Sequence, residues 1–199
     1  MYPPILFFGT PAFAAHLLDS LIDHRVPIAA VVTQPDRPKG RSLQVTSSAV
    51  KATAARRLPN IPIFQPVKCS DPAFLAQIAC LEARLYVVVA FGQILPQKLL
   101  EIPPLGCINV HASLLPKYRG AAPIQRCLMH GDVETGISIQ KMVKELDAGD
   151  VIAEAKLSIP LEMTYGELEN ALCELSKPLL LQVIHLYEQG IPFAKPQDP

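Results

Sequence analysis

The chain has 199 residues, 50% hydrophobic and 18% charged, with 18 basic residues against 18 acidic ones. That composition suits one well-packed domain with a short tail and excludes a disordered chain, while the balanced charge carries no information about partners. The N-terminal "MYPPILFFGTP" enters an apolar run without a basic leader, and no apolar run approaches about 18 residues, so neither a signal peptide nor a membrane span is expected.

Taken in chain order, short apolar runs at 5–8, 28–33, 61–64, 85–90 and 107–110 read as strands. They are apolar throughout, as expected when both faces of a parallel sheet are covered. Helical patterns at 11–23, 47–57, 72–82 and 123–129 alternate with them. This order predicts an α/β fold, a Rossmann-like, mostly parallel sheet with helices on both faces. Further strands are expected at 136–142 and 151–158. A last helix should run over 165–187. Thr164 and Glu167 fit a capping box at its start. Leu168, Ala171, Leu172, Leu175, Leu179, Val183 and Leu186 form one apolar stripe at helical spacing, and Pro178 is a candidate kink. The closing "PFAKPQDP" holds three prolines and reads as a linker. The domain is therefore placed at 1–189 and the linker at 190–199. The five cysteines (Cys69, Cys80, Cys107, Cys127 and Cys173) form no CxxC pair. No zinc or disulfide framework is readable, which fits a reducing, cytoplasmic compartment.

Several stretches carry chemistry. In "ILFFGTPAFAAHLL", Gly9 permits a tight turn, Thr10 can cap the following helix and Pro11 fits its first position. Such a helix start favours an anion. It lacks both GxGxxG and GK[ST], so neither NAD nor a P-loop nucleotide is supported. "TQPDRPKGRSLQ", residues 33–44, is a polar loop in which Pro35, Pro38 and Gly40 exclude helix. It follows a strand, where open α/β sheets bind ligands. Between Asp36 and Arg57 stand six cations against Asp36 alone. A solvated loop is the plainer reading, but Arg41 has the fork geometry that matches a phosphate. "YVVVAFGQILPQKLL" leaves a buried strand through Phe91 and Gly92 towards Ile94 and Leu95. That apolar loop could embrace a flat heterocycle or simply pack in the core.

"INVHAS" places Asn109 and His111 two residues apart at the end of a strand. Singly each has an ordinary reading, a turn amide or a satisfied histidine. At i and i+2 they share one face, and two convergent donors suit a carbonyl that becomes an oxyanion. A carboxylate should orient or charge the imidazole. "ELDAGDVI" offers Asp147 and Asp150, and Asp147, in the turn before Gly149, is better placed. His16, His24, His130 and His185 fall on helices or at their ends and lack such company.

Together, "FFGTPAFA", "VVTQPDRPKGR", "VVVAFGQILP", "GCINVHASLLPKYRGAAPIQ", "TGISIQKM" and "LDAGDVI" resemble the methionyl-tRNA formyltransferases, within the wider 10-formyltetrahydrofolate-dependent formyltransferases. The segments stand in that family's order and span nearly the whole chain. The resemblance implies transfer of a formyl group from 10-formyltetrahydrofolate, without a metal, to the α-amino group of methionine on initiator tRNA in translation initiation. It implies a catalytic set of Asn109, His111 and Asp147. Folate contacts fall on Ser113, Leu114, Leu115 and Pro116, with Phe91, Gly92, Ile94 and Leu95 and the turn before Asp147. Gly9, Thr10, Pro11 and Arg41 are the candidate contacts to the acceptor substrate, the loop of Arg41 resembling the segment that reaches the tRNA acceptor stem. The resemblance implies a second, smaller β-barrel domain, which is not expected within these 199 residues, and a monomer is expected. The rival readings are a sugar-nucleotide N-formyltransferase, which needs no basic loop at 33–44, and a folate-binding module with a dead site.

Overall fold

A computed structural model describes residues 2–39 and 44–198 of the chain. By its contacts the chain divides into two compact units, residues 3–106 and residues 107–199 with the first two residues.

In the first unit, four parallel strands lie in the order β5 (Ile63–Phe64), β2 (Ile28–Val32), β1 (Ile5–Gly9), β6 (Leu85–Val89). Ile5 pairs with Leu85 and Gly9 with Val89, so β1 and β6 run in step along their length. Every residue of both strands is buried. A strand buried on alternate sides in this way is covered on both faces, which is why its sequence runs apolar rather than alternating. Full burial of Ile5, Leu6, Phe7 and Phe8 contributes about 1.5–3 kcal/mol per side chain. β5 is short. Pro62 has no N–H to give, though its carbonyl accepts from Val31 at 3.0 Å, and side-by-side pairing with β2 begins at Ile63.

The helices of this unit are set by their caps. Thr10 does not cap α1 (Ala12–Asp23), nor is Pro11 its first residue. Pro11 takes the N-cap position and gives no side-chain bond, because the Thr10 hydroxyl is spent on the carbonyl of Phe91 at 2.8 Å. Ser48 caps α2 (Ala49–Arg57), accepting from the amide of Lys51 at 3.0 Å. Asp71 caps α3 (Pro72–Ala79) with Pro72 in its first turn. α3 ends before the predicted residue 82, and Glu82 stands at φ 52°, a left-handed conformation that no helix continues. The 33–44 stretch is not all loop. Arg37–Lys39 (β3) and Gln44–Thr46 (β4) form a two-stranded antiparallel ribbon. A helix of four residues, α4 (Gln97–Leu100), follows Pro96 and is too short to show a period in sequence.

The second unit is antiparallel: β7 (Cys107–His111) pairs with β8 (Glu134–Lys141), and β8 with β9 (Val151–Ser158). α5 (Pro123–Met129) precedes β8, and α6 (Tyr165–Glu188) packs against β8, β9 and α5. The capping box of α6 is formed. Thr164 Oγ1 accepts from Glu167 N at 3.4 Å, and Glu167 Oε2 accepts from Thr164 N at 2.8 Å. The predicted stripe supplies Leu168, Leu172, Leu179 and Val183 to the core. Cys173, Ser176, Leu180, Ile184 and Tyr187 are buried beside them, so the covered face is wider than the stripe. The helix runs through Pro178. Among the described residues no helix is long and apolar enough to cross a membrane. Parallel strands joined through helices, with an antiparallel set in the second unit, make the Rossmann-like α/β arrangement the sequence predicts.

Candidate active site

β7 delivers Asn109 and His111 to one place. Across the ladder Asn109 faces Gln140 and His111 faces Ser138, so alternation along two strands puts four polar side chains on one face of this pair. The turn between β8 and β9 adds the carboxylate. Its residue, Asp147, lies at φ 49°, in the left-handed region that short polar side chains tolerate best among non-glycine residues. Gly149, two residues on, is buried against the carbonyl of Lys141, where any Cβ would overlap the backbone. The turn can close on β8 only with glycine there.

The Asp147 carboxylate is the hub. Oδ1 accepts from the amide nitrogens of Asn109 at 3.2 Å and Gln140 at 2.8 Å. Oδ2 accepts from the backbone N–H of Gly120 at 2.9 Å and lies 3.6 Å from Nδ1 of His111. Three N–H donors thus converge on one carboxylate. The imidazole is 7% exposed and the carboxylate residue 12%. The firm anchor of the ring is elsewhere: Nε2 lies 2.9 Å from the carbonyl of Tyr118. A carbonyl only accepts, so Nε2 carries the proton and donates. Nδ1 is then the nitrogen left to face Asp147, and protonating it makes an imidazolium beside the carboxylate. Asn109 spends one amide hydrogen on Asp147 and keeps a second. An amide N–H, an imidazole and a carboxylate so placed can polarise a carbonyl and carry a proton.

Tyr118 is itself held. It stands at φ 59°, its ring stacks on His130, and its hydroxyl donates to Asp132 at 2.7 Å. Lys117 also donates to Asp132, at 2.8 Å. These two bonds, the ammonium's first, hold the Asp132 carboxyl below the ordinary aspartate range.

The 113–116 turn is tied to β8. The Ser138 hydroxyl accepts from Leu115 N at 3.0 Å and donates to the carbonyl of Ser113 at 2.8 Å. Ser113 is buried with its own hydroxyl on the carbonyl of Lys117. Leu115 is buried, Pro116 is exposed and follows a cis peptide bond, and Leu114 lies over Gly136, where a Cβ would meet its side chain. Beside Asp147, Val143 and Leu146 are exposed apolar side chains.

In the other unit, the Phe91 carbonyl accepts from Thr10 Oγ1 and from Gln34 Nε2 at 3.2 Å. Gln93 donates to the carbonyl of Pro66 at 3.1 Å. Phe91 and Leu95 are buried while Ile94 is 82% exposed and Gly92, at φ 88°, is open. Gly9 is buried and Pro11 exposed. Arg41 lies outside the described residues.

Sequence reasoning missed Gln140, the Tyr118 carbonyl, the Gly120 amide and Gln197, whose amide reaches the same turn. Only Gln140 left a trace, as a long polar side chain on a strand that also buries Thr135 and Ser138. The backbone groups leave none. Among the described residues no group of three or more His, Cys, Asp and Glu side chains stands where it could hold a metal.

An amide, an imidazole and a carboxylate meet on an α/β scaffold, and comparison names the family of the chain. The profile of the formyl transferase family matches residues 4–184, and the chain belongs to that family. It is 49% identical over 194 residues to the methionyl-tRNA formyltransferase of Protochlamydia amoebophila, and 48% over 194 residues to that of Syntrophus aciditrophicus. Each match covers 98% of this chain, and respectively 60% and 62% of the relative. The chain thus spans about three fifths of the length of these curated relatives. Among solved structures it resembles glycinamide ribonucleotide transformylase 1 from Symbiobacterium toebii, with a TM-score of 0.77 at 18% identity, covering 99% of this chain and 95% of that one. A likely sugar N-formyltransferase from Mycobacterium tuberculosis, Rv3404c, matches with a TM-score of 0.70 at 21% identity, covering 99% of this chain and 72% of that one. At such identities these two likenesses speak for the fold alone.

Proposed function

We propose that the protein moves a formyl group from 10-formyltetrahydrofolate to the α-amino group of methionine on initiator methionyl-tRNA. The observation that carries this is the convergence of Asn109 and His111 on Asp147, and the similarity to methionyl-tRNA formyltransferases along 98% of the chain supports it. An α-amino group has a pKa of roughly 8, so part of it is neutral and nucleophilic at pH 7. It attacks the formyl carbon. A carbon–nitrogen bond forms while charge gathers on the formyl oxygen. The free amide hydrogen of Asn109 and a protonated Nδ1 of His111 are the donors to that oxygen. The bond to the folate nitrogen then breaks. The proton lost by the new ammonium goes to that nitrogen, with Asp147 as carrier.

In this reading the folate contacts in the second unit are Ser113, Leu114, Leu115 and Pro116, with Val143 and Leu146 adding apolar surface; Phe91, Gly92, Ile94 and Leu95 are proposed folate contacts on the resemblance alone. The acceptor contacts are Gly9, Thr10, Pro11 and Arg41. The working compartment is the cytoplasm. Domain limits of 1–189 for the catalytic part and 190–199 for a connecting segment belong to the same proposal. The test is formyl transfer with 10-formyltetrahydrofolate as sole donor, offering charged initiator tRNA or a nucleotide-linked amino sugar as acceptor. Transfer to the tRNA is expected. Transfer to the amino sugar alone overturns the acceptor assignment, and folate binding without transfer to either overturns the enzyme.

A further inference from the structure

The segment after α6 reads from sequence as a linker, yet residues 194–198 are bound to the unit that carries the site. Lys195 and Val151 form an antiparallel bridge, each N–H reaching the other's carbonyl at 2.8 Å. Two residues on, the amide nitrogen of Gln197 donates to the carbonyls of Gly149 at 2.7 Å and Asp147 at 2.9 Å. It also lies 3.2 Å from Oε1 of Gln140, whose own amide nitrogen donates to Oδ1 of Asp147. From the far side Arg119 holds this amide, Nε donating to Gln197 Oε1 at 2.9 Å and Nη2 to the Asp198 carbonyl at 3.1 Å. Chemistry fixes the orientation. Two carbonyls only accept and a guanidinium only donates, so a flipped amide would set oxygen against oxygen and N–H against N–H.

The Gln197 side chain therefore grips the carbonyls on both sides of Ala148, within a turn whose Asp147 stands at φ 49°. It also steadies Gln140, one of the donors to the carboxylate. An uncommon backbone conformation persists only where its surroundings over-determine it. Here the surroundings include a residue fifty positions away. We propose that Gln197 is a positioning residue, the tip of a strap formed by residues 194–198 that fixes the Asp147 turn and so sets the reach of its carboxylate. It touches no substrate in this scheme and acts through Asp147 and Gln140. The proposal rests on the formyl-transfer reading.

Two variants test it in the protein as it stands. Gln197→Ala removes the clamp. Gln197→Glu keeps length and the Arg119 contact but turns oxygens towards the two carbonyls. With the fold retained, kcat should drop about 10- to 100-fold in both, because misplacing a reacting group by an ångström costs on that order. KM for the acceptor should stay within about threefold, since none of its proposed contacts lies on this turn, while KM for the donor should change less than kcat because only Leu146 of its surface moves with the turn. Backbone hydrogen exchange over residues 144–150 should quicken in both variants. In an Asp147→Asn background Gln197→Ala should cost almost nothing further, because the two act as a unit. A kcat within about twofold of the parent, unchanged exchange, or additive losses in the double variant overturns the proposal. If the parent transfers no formyl group, the functional reading fails on its own, and the exchange measurement alone decides whether the strap holds the turn.

Discussion

At the residue scale the site depends on who donates to whom. Asn109 gives one amide hydrogen to Asp147 and, in the proposed reaction, the other to the formyl oxygen, while His111 is aimed by the Tyr118 carbonyl. Asn109→Ala and His111→Ala should each lower turnover about 10²–10³-fold with the fold intact, the usual cost of one oxyanion donor. A folded variant with near-full transfer in a steady-state assay would remove that residue from the mechanism. Asp132 acts one step back, through Tyr118. Its folded pKa lies below the unfolded 3.8 because Lys117 and then Tyr118 donate to it. Its contribution to stability is therefore complete above about pH 4 and fades as pH falls through the lower folded value. Thermal melts of the parent and Asp132→Asn should differ most near neutral pH and draw together as pH falls below 3.8 through the lower folded value. A gap that stays constant over that range would show that the pair contributes nothing through charge.

At the element scale, capping and close approach decide the boundaries. The Thr164–Glu167 box starts the helix that covers β8 and β9, the strands on either side of the turn that carries Asp147. Glu167 titrates low because the backbone N–H and the hydroxyl of Thr164 both donate to it. Losing a cap of this kind should lower the melting temperature of a chain this long by about 2–4 °C, so Thr164→Ala should show that shift in a calorimetric scan. No shift would mean that packing alone fixes the start of α6. The capping box was legible because its two residues are three apart in sequence. The start of α1 was not. Thr10 looked like a cap, but its hydroxyl has a partner 81 residues away, and no local pattern announces that competition.

At the scale of the whole molecule, the buried strands carry the stability. Phe7 in the middle of β1 is fully buried, and Phe7→Ala should cost about 3–5 kcal/mol by transfer and cavity terms together. Urea unfolding should report this as a lower midpoint at nearly unchanged slope, and a loss below 1 kcal/mol would mean that the core closes over the gap.

What the sequence determined by itself is what short range and composition control. Continuous apolar runs marked strands covered on both faces, the alternation of those runs with helical periods marked an α/β fold, and the i, i+2 spacing of Asn109 and His111 put two donors on one face of a strand. Tertiary structure alone decided which partners those groups meet. Gln140 reaches Asp147 by strand register, Tyr118 and Gly120 act through backbone atoms that any residue owns, and Gln197 returns from the end of the chain. Such contacts follow from where the folded backbone crosses itself, and hydrogen bonds made there depend on distances in space that no spacing along the chain encodes.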